Sequence, residues 1–418
     1  MLFWHKKSAD QPDTALSELV APEKKPFWKR KWLWGIVILL LVFIIFSGED
    51  SKNSIEPSPQ EESTEVSSGG PSNTKLLCSF PDSWSYISDN SLRTSASGNL
   101  SPWNIVADPT VLYDQNKFRM WYTAADGRGN GGIAFAESND GMTWDVWKKS
   151  DSPLGVIDLV LTGTPGAWDE PVVETASVIR TPSGEYRMYY TGNRPPEGSN
   201  HYAIGLATSA DGINWKKYGN GPIFEPKNEW ELPTCTNPND KSSCSNGGVL
   251  EPSVLYDSRE KLYKMWYAAV GTKDGVTTFR IGYATSPDGI AWRRMPETVL
   301  DRGEDGTWND ALVSHPHVIY DSQSGYHLFY FGVKLSEYCD NCALQRGRMG
   351  HAFSSDGKVW QFDSRNPILS PRPNKWDEWT IGGPTAIVRN NELMLWYFGN
   401  KKRDSIESGI GLVKGVCR

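Results

Sequence analysis

"ADPTVLYDQNKFRMWYTA" runs from Ala107 to Ala124, and its cadence returns in "EPSVLYDSREKLYKMWYAA" (Glu251 to Ala269) and "HPHVIYDSQSGYHLFYFG" (His315 to Gly332). Its second half recurs five times, as "FRMWYTA", "YRMYYTG", "YKMWYAA", "YHLFYFG" and "LMLWYFG", with Tyr122, Tyr190, Tyr267, Tyr330 and Tyr397 in register. Runs this aromatic and this short are buried strands rather than buried helices. Its first half also recurs, as "DPTVLYD", "ETASVIR", "EPSVLYD", "HPHVIYD" and "GPTAIVR". Downstream stand four copies of S-x-D-G-x-x-W, at Ser138, Ser209, Ser286 and Ser354, spaced 71, 77 and 68 residues apart. Asp-Gly marks a tight turn, because Gly accepts the positive φ the turn demands.

Each unit of roughly 70 residues therefore reads as about four strands, and such units repeated around an axis make a β-propeller. The expected fold is all-β, a five-bladed β-propeller over residues 76–418. The fifth unit stops at "GIGLVKGVCR", short of its final strand, and an open edge is a liability. "CSFPDSWSYI" (Cys78 to Ile87), whose P-D-S-W echoes "SPDGIAW", is expected to supply that strand and close the ring.

The inner strands begin on residues of different chemistry. Aligning them puts Asp108, Glu174, Glu251, His315 and Gly383 at one position around the channel. Facing carboxylates cannot all ionise cheaply, so repulsion and partial burial raise at least one pKa and divide acid from base. Glycosidic bond cleavage needs that division. The S-x-D-G-x-x-W boxes read as structural turns. Trp103 and Asn104, just before the first inner strand, are candidate sugar contacts. The related pairs Trp168–Asp169, Trp308–Asn309 and Trp376–Asp377 read mainly as turns leading into the blades.

"ADPTVLYD" and "EPSVLYD" resemble the inner-strand motifs of five-bladed glycoside hydrolases of the arabinanase and β-xylosidase type, distantly related to the invertase and levansucrase group. The resemblance spans residues 78–418. It implies Asp108 as general base (nucleophile in retaining members), Glu251 as general acid and Glu174 as the modulating carboxylate. It places His315 near a hydrated cation, commonly calcium in the central channel, with His317 sharing that role or contacting substrate; no cofactor is otherwise required. "VETAS" stands where that family has Asp-Pro, and "LEPS" where Glu-Gly-Pro is common. The invertase phrases "NDPNG" and "RDP" are absent, so fructan chemistry ranks lower. The expected partner is a carbohydrate. The alternatives are a silent carbohydrate-binding propeller and a glycoside phosphorylase drawing on Arg194, Arg280, Arg346 and Arg348.

The 418 residues carry a net charge of -7, which excludes a phosphate-binding footprint and argues against nucleic acid as a partner. Aromatics reach 12% with 19 Trp, as in sugar binders and aromatic-rich β proteins. The first 75 residues differ in kind. "WLWGIVILLLVFIIF" (Trp32 to Phe46) is uncharged, preceded by Lys24, Lys25, Lys29, Arg30 and Lys31 and followed by Glu49 and Asp50. The expectation is a cytoplasmic basic tail (1–31), a single-pass transmembrane signal-anchor (32–48) and a disordered stalk (49–75) that present an extracytoplasmic, monomeric domain. A cleaved secretory signal is the rival. Six cysteines outside the cell suggest bridges Cys78–Cys417, Cys235–Cys244 and Cys339–Cys342, with a zinc site from the middle four as the alternative.

Overall fold

The computed structural model describes residues 84–93, 105–125, 131–151, 157–193, 201–237, 239, 243–322, 324–339, 344–390, 392–403 and 408–416. The expected tail, anchor and stalk lie outside the described residues, as do Cys78, Cys342, Cys417, Trp103, Asn104 and Arg194. Among the described residues no helix is long and apolar enough to cross a membrane.

The described chain is almost wholly β, in meanders that run outward from an inner strand. Unit one comprises Val106–Asp114, Lys117–Ala125, Gly131–Ser138 and the short Asp145–Val146. Unit two runs from Val172–Arg180 through Tyr186–Asn193 and His201–Ser209 to Lys216–Lys217, and unit three from Gly247–Asp257 through Leu262–Lys273 and Val276–Ser286 to Arg293–Arg294. A parallel contact, Gly247 to His201 and Gly248 to Tyr202, joins these two into one eight-stranded sheet. Unit four contains Leu312–Asp321, Gly325–Val333, Gly347–Ser354 and Gln361–Phe362. Unit five contains Thr380–Arg389, Glu392–Asn400 and Ser408–Val416.

The fourth strand of unit five comes from the N-terminal side, as expected, but from a later stretch. Ser85–Arg93 pairs antiparallel with Ser408–Val416, from Ser85 opposite Lys414 to Arg93 opposite Gly409, with register shifts between Tyr86 and Ser88 and between Ser88 and Leu92. Pairing thus begins near the end of the predicted segment, and Trp84 packs into the core between units four and five.

Every unit interface holds an apolar cluster, and the one uniting Phe118 and Met120 of unit one with Met394 and Trp396 of unit five closes the ring. The repeated turns explain how these interfaces lock. In each box the Asp carboxylate accepts two backbone N–H groups while the Ser hydroxyl accepts that of the Gly, as in Asp211 with Ile213 and Asn214 and Ser209 with Gly212. The turn Gly then offers its carbonyl to the next unit. Trp121 Nε1 donates to Gly212, Tyr189 Oη to Gly289, Trp266 Nε1 to Gly357 and Trp396 Nε1 to Gly141, at 2.7–2.9 Å. Those glycines have φ between 73° and 79°, and an added Cβ would lie 2.6–2.8 Å from the neighbouring unit. Unit four presents Phe329 at this point, with no polar hydrogen to donate, and there the half-buried Trp84 fills the contact.

Cys235 and Cys244 are bonded to each other, as expected. Cys339 is also disulfide-bonded; its expected partner lies outside the described residues.

Candidate active site

One backbone device recurs in all five inner strands. Asp108, Thr175, Glu251, His315 and Gly383 have φ of 48°, 48°, 52°, 46° and 53°. Each opens a β-bulge in which two residues oppose one on the next strand, shown by the skips from Ala107 to Thr110, Glu174 to Ser177, Leu250 to Ser253, Ser314 to His317 and Gly382 to Thr385. The second bulge residue is proline in four units (Pro109, Pro252, Pro316, Pro384), where no ladder hydrogen bond is needed. The residue opposite each bulge is the repeated tyrosine. Non-glycine residues in this region cost roughly 1–3 kcal/mol each, and such strain gathers at functional sites.

The bulge corrects the sequence alignment. The unit-two residue in register with Asp108, Glu251, His315 and Gly383 is Thr175, not Glu174. Glu174 matches Ala107, Leu250, Ser314 and Gly382, one layer nearer the strand starts. Unit two has Ala176 where the others have proline, so the bulge is unmarked in "VETAS".

Below the bulge a second ring stitches the inner strands together. Val178 N–H donates to Thr110 Oγ1, Val254 to Ser177 Oγ, Val318 to Ser253 Oγ and Val111 to Thr385 Oγ1, at 2.9–3.4 Å. His317 completes the circle, 3.2 Å from the Ala386 carbonyl. With a carbonyl as partner, Nε2 carries the proton, and burial lowers the pKa of His317 to about 4, keeping the ring neutral.

Asp108, Glu251 and His315 converge in the cavity at the axis, each 4–5% exposed. His315 Nε2 lies 3.3 Å from Asp108 Oδ1, and Nδ1 lies 3.2 Å from Glu251 Oε2 and 2.9 Å from Ser314 Oγ. Glu251 Oε2 also accepts the His315 backbone N–H at 2.6 Å, and the Glu251 N–H is anchored on Thr191 Oγ1. The Asp108–His315 approach lacks hydrogen-bond alignment, so both Asp108 oxygens are buried without a hydrogen bond. Burial pushes Glu251 up to about 7 against the opposing pull of His315. Burial disfavours the His315 imidazolium, but Glu251, Asp108 and Glu174 outweigh it and hold its pKa above the ordinary value. Glu174 is raised by burial, with Asp108 adding to the effect. The structure thus brings Asp108, Glu251 and His315 into direct contact, with Glu174 beside them and His317 in the ring below. Thr175, Thr191 and Ser314 were not singled out from sequence; Thr191 shares its place with Thr123 in "YTA" and "YTG", the one signal that pointed to it.

Calcium takes about six to eight oxygen ligands. Among the described residues no group of three or more His, Cys, Asp or Glu is disposed to hold an ion, and both His315 nitrogens face carboxylates. These residues do not fit a directly coordinated calcium.

The tryptophans leading into the strands belong to the scaffold. Trp168, Trp308 and Trp376 lie against Tyr190, Tyr330 and Tyr397 at 5.7–5.9 Å between ring centroids, and Asp169 and Asp377 accept the Tyr190 and Tyr397 hydroxyls. Of the arginines considered for phosphate, Arg280 is bound to Asp301, Arg348 to Glu337, and Arg346 lies over Trp379.

No family model matches the chain. It is 29% identical over 288 residues to an uncharacterized protein of Mycobacterium tuberculosis, covering 68% of this chain and 84% of that one. It is 24% identical over 214 residues to a 1,2-β-oligomannan phosphorylase of a Thermoanaerobacter species, covering 51% and 58%. Among solved structures, a thermostable family-43 glycoside hydrolase superposes with a TM-score of 0.55 at 19% identity, covering 75% of this chain and 91% of the other. The all-β fold is also shared with a structure from the GH130 family of mannoside phosphorylases, which superposes with a TM-score of 0.53 at 17% identity, covering 74% of this chain and 84% of the other.

Proposed function

We propose that the chain is a five-bladed, carbohydrate-active enzyme that hydrolyses glycosidic bonds of a glycan. The observation that carries this reading is the placement of two buried carboxylates against the two nitrogens of one imidazole. Hydrolysis needs one carboxyl protonated and one ionised at the same pH. Glu251, near 7, retains a proton to give to the leaving oxygen as the bond to the anomeric carbon breaks. Asp108 either takes a proton from the water that attacks that carbon or attacks it directly. His315 lies between the two carboxylates, 3.3 Å from Asp108 and 3.2 Å from Glu251.

Phosphorolysis is the second reading, favoured by the likeness to the oligomannan phosphorylase. Against it, the described cavity lining holds no lysine or arginine, and its imidazole, His315, is already matched by Asp108 and Glu251, which leaves no unmatched cation there for phosphate. The apolar segment 32–48 with its basic flank supports a membrane-anchored, extracytoplasmic placement.

The test is cleavage of a panel of aryl glycosides by the full chain, with and without inorganic phosphate. Turnover that persists without phosphate and is abolished in Asp108→Asn and Glu251→Gln is the expected result. Turnover that requires phosphate establishes the second reading. Glycan binding without any turnover leaves a binding propeller.

A further inference from the structure

Unit two carries three polar side chains where its neighbours pack apolar ones. Glu174 lies opposite Thr191, and Asn193, two residues further along that strand, lies opposite Tyr202. Cross-strand partners and residues two apart share a face, so all three point to one side of the sheet. That side faces unit three, because Thr191 on the same face accepts the Glu251 N–H and Tyr189 reaches Gly289. At these positions unit three has Leu250, Val270 and Phe279, all in one apolar cluster, and unit one has Ala107, Ala125 and Gly131.

Asn193 is 0% exposed, and among the described residues neither its Oδ1 nor its Nδ2 has a hydrogen-bond partner. Glu174 and Tyr202, 5% and 4% exposed, are buried beside it on the same face. Burial, with Glu174 and Glu251 adding to it, drives the Tyr202 phenol well above its ordinary pKa, which puts Tyr202 in the field of both carboxylates. Buried polar groups are nearly always satisfied, and an amide left open at both ends, as Asn193 is among the described residues, calls for a ligand or water. An amide, a phenol and a carboxylate offer both donors and acceptors, the complement of adjacent sugar hydroxyls. In the described lining His315 is already matched by Asp108 and Glu251, His317 is kept neutral by burial and no lysine or arginine is present, so an anionic sugar meets no unmatched cation.

We propose that Glu174, Asn193 and Tyr202 form a subsite beside the Asp108–Glu251 pair that receives the hydroxyls of an uncharged sugar ring. This rests on the glycoside-cleaving reading for its placement, but binding tests it separately. The full chain is titrated with methyl glycosides of D-mannose, L-arabinose, D-galactose and D-xylose, and with D-glucuronate and D-mannose 6-phosphate. At least one neutral sugar is expected to bind, and neither anionic one. Asn193→Ala and Tyr202→Phe are each expected to weaken that binding about tenfold to a hundredfold, by hydrogen bonds of ordinary strength, while Asp108→Asn retains it. Asn193→Ala removes no group partnered among the described residues, so an unchanged or higher Tm is expected of it, whereas a purely structural role predicts a fall. Unchanged affinity in both variants, binding of none of the panel, or tighter binding of an anionic sugar overturns the subsite. If aryl glycosides are cleaved while the variants keep wild-type affinity and KM, only the subsite fails. If the variants lose affinity in a chain that cleaves nothing, the subsite stands and the hydrolase reading falls.

Discussion

The four S-x-D-G turns and the five bulge residues are both copies of one backbone device, yet the turns barely differ while the bulge residues are all different. The difference lies in what each copy touches. Every turn glycine is pressed against an aromatic residue of the adjoining unit and accepts a hydrogen bond from it on its carbonyl, so its identity is set by packing. The bulge residues point into the channel, where no repeated partner constrains them, and each position is free to carry a separate chemical task. Repetition with tight contact is scaffold; repetition with open contact is site.

The largest test of that contrast is on the site. Glu251→Gln or Asp108→Asn is expected to lower kcat by about 10²–10⁴-fold on a cleaved aryl glycoside while leaving the folded fraction unchanged, since general acid–base groups contribute on that scale.

On the scaffold, Gly357→Ala puts a Cβ at a φ of 74° and 2.7 Å from Trp266. It is expected to destabilise the fold by about 2–4 kcal/mol in denaturant titration. Gly306→Ala, at a φ of 89° with nothing within 4 Å, isolates the backbone part of that cost and is expected near 1 kcal/mol. Equal losses at both glycines would remove packing from the explanation.

The two regions also differ in their response to pH. Glu251 rises from 4.5 to about 7 on folding, so the folded chain keeps a proton that the unfolded chain releases between those values. The stability it contributes is full below 4.5 and is lost as pH rises through 7. Glu251→Gln is therefore expected to match wild type near pH 4 and exceed it by up to about 3 kcal/mol near pH 8. A constant difference across that window would show that Glu251 is not the buried acid.

The smallest effect is expected at Thr175, a β-branched residue at a φ of 48°. Thr175→Gly is expected to relieve about 1 kcal/mol of backbone strain, partly offset by loss of the 2.5 Å contact with Thr191 Oγ1. A marked loss of stability instead would mean that the hydroxyl contact outweighs the strain.

The ring, the turns and the N-terminal closure were legible in the sequence because each rests on short-range patterns: an aromatic strand, an Asp-Gly turn, a missing last strand. Asp108, Glu251 and His315 were legible because proline follows each of them. Glu174 was misplaced by one residue because the bulge is a matter of φ and pairing, and unit two lacks the proline that marks it. Thr191, Ser314, Asn193 and Tyr202 were hidden for another reason. Their importance comes from a neighbouring unit or an unfilled hydrogen bond, and neither leaves a trace in local spacing.

The strand Ser85–Arg93 has a further consequence, in time rather than space. It is synthesised before every unit it helps to enclose, yet its edge partner among the described residues is Ser408–Val416, the furthest of the described strands along the chain. During synthesis it waits with its backbone unpaired, and the circle is sealed only by a contact spanning more than 300 residues, among the slowest kinds for a chain to find. Truncating even the final strand would therefore leave two raw edges at once, one at each end of the domain.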